Sequence, residues 1–427
     1  AAALIFERFL FLKQTVFCYA RHVHKIPMKL SSLHLEHFRN YEQLDFVFPD
    51  EPILVLNGDN AQGKTNFLEA LYLMALTKSF RMSDRDFLRQ FEQDYYRIHL
   101  KGAASGEENI SLELCEITEP AHQRVLKKNG VKISAPKFIG NVKVVLFRPE
   151  DLQMLTGEPA LRRRYLNNIL IQTVPGYMKA LQLYQKLLTQ RNALLLQVKL
   201  GASPAYALDL WDEQLAEAGA ALLTSRLELV EFLQKQLREG GSVYEVDYES
   251  SVFPNSIFCP GRDLASNLTP FPEDFSQKSL YDLLLSSLNQ SRPRDTRSGH
   301  TSVGPHRDDL KVRITNQATK TLQPVELTAS RGELRSALMA LKQAEIAWIH
   351  QKTGETPLIL LDDIFSELDS GRKNDLFDLI PEAKNTQVII TIPEGNPLPS
   401  ILTTSPKLRS ASTVRKIHQG QIGEMLE

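Results

Sequence analysis

Ile53-Leu-Val-Leu-Asn-Gly-Asp-Asn-Ala-Gln-Gly-Lys-Thr65 decides how the rest of the chain is read. An apolar run gives a buried strand that feeds the spacing GxxxxGKT. Gly58 and Gly63 leave out Cβ atoms where the backbone must turn tightly. The loop from Gly58 through Asp59, Asn60, Ala61, Gln62 and Gly63 to Asn66 can then wrap its N–H groups around the α- and β-phosphates of a nucleotide. In such a loop Lys64 reaches the β- and γ-phosphates, and the Thr65 hydroxyl ligates Mg²⁺. Asn66 to Ala75 has helical composition, so a helix N-terminus adds partial positive charge at the phosphates. The spacing can arise by chance, but the strand before it and the helix after it are the context the motif needs.

Working outward, the chain has 427 residues, enough for two or three domains. Its hydrophobic fraction of 42% and charged fraction of 24% are those of an ordinary globular protein. The net charge of −1 excludes a molecule that attracts nucleic acid as a whole, so any such site must be a local basic face. Cys18, Cys115 and Cys259 are far apart and form no CxxC, so neither a zinc site nor a disulfide framework is indicated. A reducing, cytoplasmic setting fits that usage. Residues 1–27 are apolar but broken by Glu7, Arg8 and Lys13, which fits neither a signal peptide nor a membrane span. They are expected to lie outside the working domain, which is expected to begin near Met28.

Residues 28–150 hold the first part of the expected head. Lys29 to Phe38 and Glu42 to Phe48 read as strands, and residues 95 to 147 as further β-structure with a hairpin turn at Asn129-Gly130. Lys78 to Asp86 is a cationic connection that fits a solvated loop and a phosphate or DNA contact equally well. Residues 151–300 form an expected insert, helical to about residue 240 and broken at Pro204. Two arms of such a lobe reach about 60 Å at most, too short for a long coiled coil. Arg292 to Ser302 reads as a basic, flexible connector, and the tail from Pro393 as loose. Residues 301–427 supply the second part of the head.

Pro357-Leu-Ile-Leu-Leu361 is a buried-strand pattern that ends in Asp362-Asp363. Asp362 is placed to hold Mg²⁺ opposite Thr65, and Asp363 to orient or deprotonate an attacking water. A solvated pair of acids after a core strand is the plain alternative. Ser330-Arg-Gly-Glu-Leu-Arg335 opens a helix with capping-box spacing between Ser330 and Glu333. Its hydroxyl, the Gly332 amide and the helix dipole could instead face the γ-phosphate of a second subunit. His306-Arg-Asp-Asp309 is a dense polar cluster that fits a surface turn or a phosphate contact by Arg307. Arg81, Arg85, Arg162, Arg163 and Arg164 are the candidate DNA-binding cations.

The order FRNY, GDNAQGKTN, LFRPEDL, EPALRRRYLN, SVGPHRDDL, ASRGELR, LLDDIFSELD resembles the RecF family of bacterial recombination-mediator ATPases, relatives of SMC proteins and ABC cassettes. The resemblance runs from Met28 to about Thr391. It implies an α/β fold: an ABC-type phosphate-loop ATPase head with mixed β-sheets and an inserted helical lobe. It places the ABC signature at Ser330 to Arg335, the Walker B and catalytic carboxylates at Asp362 and Asp363, and the D-loop at Ser366-Glu-Leu-Asp369. Arg39 resembles the N-terminal arginine that reaches bound nucleotide in related heads. The family further implies ATP and Mg²⁺ as ligands, an ATP-dependent homodimer that binds DNA at single-strand gaps, slow DNA-stimulated hydrolysis, and work with RecO and RecR to load RecA. Two departures matter. The strand ending at Thr391 continues into Ile392-Pro393, where ABC cassettes carry a switch histidine. The catalytic acid is Asp363, one methylene shorter than the usual Glu.

Three other readings compete. An SMC or break-repair head is disfavoured because the sequence has no long heptad arm and no CxxC hook. A transporter's ATPase subunit is disfavoured by the insert of about 260 residues between phosphate loop and signature. A DNA-binding dimer in which ATP is only glue differs from the catalytic reading in lacking turnover.

Overall fold

Every position of β13 (Leu358–Asp362) is buried, and so is nearly every position of β3 (Ile53–Gly58) and β14 (Val388–Pro393). Strands buried on both faces belong in the middle of a parallel sheet. The computed structural model places them there, in the order β16 (Gln421–Glu424), β15 (Ser412–His418), β3, β14, β13, β8 (Val144–Phe147). All neighbours run parallel except the β15–β16 hairpin. The structure describes residues 29–81, 85–104, 107–118, 122–253, 257–258, 275–316, 319, 321–366, 386–395 and 406–424. The expected extension at 1–27 and most of the D-loop place, Glu367 to Asp369, lie outside the described residues.

Alternation along these strands feeds two cores. Leu54, Leu56, Leu360 and Ile389 face one, while Val55, Leu361, Val388 and Ile390 face the other. The first core contains α1 (Lys64–Leu76), which is buried from Phe67 to Leu76 on all sides. A helix without a polar face must be enclosed. Beyond it lies a six-stranded sheet in the order β2 (Tyr41–Val47), β1 (Lys29–Phe38), β4 (Tyr95–Ala104), β5 (Glu107–Ile117), β6 (Gln123–Lys128), β7 (Val131–Lys132), antiparallel throughout. Its inward Leu33, Leu35, Ile98, Leu100 and Leu112 close the core over α1. Burying one Leu or Phe is worth about 1.5–3 kcal/mol, so Phe67, Leu68, Leu71 and Leu73 fix the start of α1 far more firmly than any one hydrogen bond there. The hairpin expected at Asn129-Gly130 is present, with positive φ at both residues (51° and 79°).

The second core is covered by helices: α2 (Pro159–Thr173), α3 (Tyr177–Lys199), α4 (Asp209–Glu239), α5 (Gln277–Ser298) and α6 (Arg331–Thr353). α4 has 31 residues, so it is about 46 Å long, within the expected bound. Three expectations are corrected. Arg292 to Ser298 is not a flexible connector but the last turns of α5, with Pro293 inside the helix. The segment is fixed by charge burial: Arg292 donates to Asp212 at 2.6 Å, and the buried Asp295 accepts from Arg191 of α3 at 3.0 Å. The tail is not loose throughout, because β15 lies beside β3 in register, with Val414 opposite Val55. Finally, the boundary expected at residue 300 is crossed by a small sheet, β10 (Ile257–Phe258), β9 (Tyr244–Glu249), β11 (Asp309–Thr315), β12 (Leu322–Pro324). Val246 of β9 pairs with Val312 of β11. Among the described residues no helix is long and apolar enough to cross a membrane.

Candidate nucleotide site

The register of the parallel sheet brings Gly58 opposite Pro393 and Asp362 opposite Thr391. The carboxyl ends of β3, β14 and β13 therefore open onto one crevice, the usual place for a ligand in such sheets. Gly63 has φ 114°, reserved in practice for glycine, and a Cβ there would come within 2.7 Å of Asn40 and 2.9 Å of the Tyr41 hydroxyl. Ala61 is also left-handed, at φ 64°.

The loop is braced from three sides. Tyr41 donates its hydroxyl to the Gly63 carbonyl at 2.9 Å, and the Asn40 amide donates to the Gln62 carbonyl at 3.0 Å. The Asn66 amide donates back to Asn40 at 2.7 Å. From the C-terminal hairpin, the Gly420 N–H donates to the Gln62 carbonyl at 3.1 Å, and the Gln419 N–H to the Gln62 side chain at 2.6 Å. A Cβ on Gly58 would sit 2.3 Å from the Ile417 carbonyl oxygen, so the first loop glycine is needed for contact with this hairpin.

Lys64 lies across the loop and donates to the carbonyls of Gly58 (2.6 Å) and Asp59 (2.7 Å). Burial pulls its pKa down, while Asp363, Asp362 and Asp59 pull it up. The Thr65 hydroxyl donates to Asp362 at 3.0 Å, and the Thr391 hydroxyl donates to the same carboxylate at 2.9 Å. Thr391 also accepts the Asp363 N–H at 2.9 Å. Asp363 is held at φ 50°, a left-handed conformation that recurs at functional sites. Burial raises the Asp362 pKa, against the hydrogen bonds from Thr391 and Thr65. A depression of about 140 Å³ is lined by Asn60, Ala61, Gly63, Lys64, Thr65, Asn66, Arg81, Asp363 and Thr391.

The oxygen donors fit the implied Mg²⁺. One hydroxyl and one carboxylate, completed by phosphate oxygens and water, is how that ion is held in phosphoryl-transfer sites. Among the described residues there is no group of three or more His, Cys, Asp or Glu that could hold a metal alone.

Comparison with known proteins agrees with this geometry. The family model described as RecF/RecN/SMC N terminal domain matches residues 29–398. The chain is 34% identical to the DNA replication and repair protein RecF of Thermomicrobium roseum, over 90% of this chain and 98% of the relative. It is 38% identical to the protein of the same description from Streptococcus thermophilus, over 85% of this chain and 92% of the relative.

The chain belongs to the RecF family. A solved structure described as the recombination mediator protein RecF with ATP, in the RecFOR pathway, superposes with a TM-score of 0.77 at 27% identity. It covers 95% of this chain and 100% of that one. A second, with ATPrS, superposes at 0.76 and 28%.

Within this RecF-family head the expected site residues divide. The phosphate loop, Asp362 and Asp363 come together as read from the sequence. Ser330 and Gly332 do not line the depression. Ser330 caps α6, accepting the Glu333 N–H at 3.3 Å while its own N–H donates to Glu333 at 2.7 Å. The cap leaves Ser330 exposed at a free helix start. Arg39 is turned to the buried Glu69, with Nε and Nη2 each donating at 2.9 Å.

Three of the five candidate DNA cations are engaged within the fold. Arg162 is buried and donates two bonds to Asp309, at 2.7 and 2.8 Å. Arg163 donates to the Asp308 carbonyl, and Arg164 to the carbonyls of Ser79 and Phe80. Consecutive helical residues point about 100° apart, so three of them cannot form one face. The Arg85 side chain lies outside the described residues. The polar cluster at 306–309 is also structural. Asp308 is buried and accepts from Tyr248, Ser250 and the Ser251 N–H. His306 faces the Thr301 carbonyl with Nε2 and the Tyr184 hydroxyl with Nδ1. Nε2 must therefore carry the proton, and Nδ1 accepts. Arg307 donates to the Thr301 carbonyl at 3.2 Å rather than facing the phosphate depression.

Sequence reasoning missed Thr391, the Asn40–Tyr41 brace and the C-terminal hairpin. A threonine at the end of the apolar Val388-Ile-Ile run was the available signal for the first. The hairpin carries no local mark, since its backbone N–H groups make the contact, and the Asn40 and Tyr41 side chains reach loop residues 22 positions away in the chain.

Proposed function

We propose that the chain is an ATP-dependent DNA-binding protein of recombinational repair that hydrolyses ATP slowly. One observation carries the reading. Lys64, Thr65 and Asp363, from the two ends of the sequence, line a single depression, and Asp362 accepts from the Thr65 hydroxyl at its edge at 3.0 Å. Lys64 binds the β- and γ-phosphates once they displace its bonds to the loop carbonyls. Thr65 and Asp362 would hold Mg²⁺, which would supply neutralisation of the charge on the transferred phosphoryl group. Asp363 orients and deprotonates the attacking water. Its short side chain on a left-handed backbone suits slow turnover. Thr391 fixes the Asp362 carboxylate and the Asp363 backbone.

The free cap at Ser330 supports assembly in trans. Two heads meeting head to tail would each cover the other's γ-phosphate with Ser330, the Gly332 amide and the start of α6. The relatives are described as DNA replication and repair proteins, and the superposable RecF structure is described as part of the RecFOR pathway. The first description supports DNA as a partner and the second supports RecO and RecR; loading of RecA downstream is part of the same proposal. Hydrolysis then times release from DNA at single-strand gaps. The test is sedimentation of the protein with ATP, with ADP, and with a slowly hydrolysed ATP analogue. A dimer with ATP and the analogue but not with ADP is the expected result. A monomer throughout, or a dimer indifferent to nucleotide, overturns the sandwich.

A further inference from the structure

Glu69 sits on α1 one turn beyond Thr65, with its side chain fully buried. A buried carboxylate is expensive unless paired, and an apolar replacement for a buried ion pair is often neutral or stabilising. Its surroundings show what it holds. Arg39, from the turn between β1 and β2, grips both carboxylate oxygens and also donates to the Phe87 carbonyl at 2.6 Å. The Ser79 hydroxyl donates to Oε1, and the same hydroxyl oxygen accepts the Arg81 N–H at 2.9 Å. The Arg81 guanidinium lies 3.6 Å from Oε2, while its Nη1 donates to the Asn66 side chain at 2.8 Å. Arg81 lines the phosphate depression beside Lys64, Thr65 and Asp363. One carboxylate thus ties the turn at Arg39, the loop at Ser79–Arg81 and the helix of the phosphate loop.

We propose that Glu69 is a positioning residue for ATP: it holds Arg81, through direct attraction and through Ser79, with the guanidinium turned into the phosphate depression. A free arginine must give up rotamer freedom to bind phosphate, whereas one already held gives up little. The carboxylate itself touches no nucleotide. The inference rests on the nucleotide reading above.

The experiment is a double-mutant cycle on the full chain, read as the affinity for Mg²⁺ with a slowly hydrolysed ATP analogue by calorimetry. Glu69→Gln keeps the size and removes the charge, and Arg81→Gln removes the positioned group. Each is expected to weaken binding about tenfold, the scale of one charge-assisted hydrogen bond. The double variant is expected to bind no more weakly than Arg81→Gln alone, because Glu69 acts through Arg81. Parental affinity in Glu69→Gln overturns the proposal, as does a double variant whose loss is the product of the two single losses. A purely structural Glu69 gives that second result, with a lowered Tm. If Glu69→Gln does not fold, Ser79→Ala takes its place in the cycle with the same criteria. Lys64→Met serves as control. A parent that fails to bind the analogue contradicts the nucleotide reading, whereas a binding parent with an indifferent Glu69→Gln contradicts only this inference.

Discussion

The Thr65 hydroxyl donates to the Asp362 carboxylate at 3.0 Å, although 297 residues separate the two along the chain. Loop closure grows only slowly with length, so the separation costs little more than a much shorter one. β3 and β13 both pair with β14, so Asp362 ends its strand one strand away from the end of β3, where the loop leading to Thr65 begins. The site therefore exists only when both ends of the sequence are folded together, and neither half carries it alone.

Lys64→Arg tests the phosphate loop. The lysine ammonium fits between two carbonyls at 2.6 and 2.7 Å, a space for a compact charge. A planar guanidinium keeps the charge but not the shape. ATP binding is expected to persist while hydrolysis collapses, as read by filter binding and phosphate release. Normal turnover in this variant contradicts the assignment.

Asp363→Asn tests the base. The amide keeps the size and the backbone bond to Thr391 but cannot take a proton. Turnover is expected to fall by roughly 10²-fold or more, the scale of a positioned general base. Binding of ATP should be unchanged and DNA should be held longer. Single-turnover hydrolysis at the parental rate would place the base elsewhere.

Arg162→Ala separates structure from DNA contact. Breaking a buried, two-bonded pair typically costs about 3–5 kcal/mol, against at most about 1 kcal/mol for an exposed one. The variant is expected to lose stability on the larger scale in a denaturant titration. The salt dependence of DNA binding by the folded fraction should keep its slope, because no phosphate contact is removed. A flattened slope at unchanged stability would return Arg162 to the DNA surface.

His306 gives a pH signature. Burial, together with Arg307, Arg163 and Arg191, pushes its pKa from 6.5 to about 4, against the hydrogen bond to Thr301. The unfolded chain therefore binds the proton more readily. The stability contributed is whole above pH 6.5 and is lost as the pH falls towards 4. Between pH 7 and pH 5.5 the loss is about 1.2 kcal/mol. His306→Gln should show a smaller loss over the same interval. Equal pH dependence in the two proteins would show that His306 does not titrate as its surroundings require.

What could be read from the sequence was what local chemistry fixes. The phosphate loop, its strand and helix, the Asn129-Gly130 turn and the Asp362-Asp363 strand end each carry their own marks. The misreadings share one cause, a partner far away in the chain. Arg162 looks like part of a basic cluster until Asp309, 147 residues on, takes it up. Arg292 to Ser302 has the composition of a loop, yet as far as Ser298 it is helix, held by Arg191 on Asp295 and by Arg292 on Asp212. β15 is ordinary in sequence and becomes a sheet strand because β3 offers it an open edge. Thr391 stood in plain view, but its role needed the register of three strands.

Ser330→Arg tests assembly. Among the described residues of one chain the Ser330 hydroxyl accepts from the Glu333 N–H in the cap of α6, and the phosphate depression is lined by other residues. Removing a cap costs about 1 kcal/mol, too little to unfold the head. ATP affinity of the monomer is therefore expected to stay nearly parental. In a head-to-tail pair the same residue would lie against the partner's γ-phosphate, and a long cationic side chain would enter the seam. The ATP-dependent dimer should then disappear in sedimentation with a slowly hydrolysed analogue. Mixed with Lys64→Met, the variant should recover at most one composite site per heterodimer, because each chain supplies one intact half. A Ser330→Arg protein that dimerises like its parent would show that α6 does not seal the nucleotide in trans.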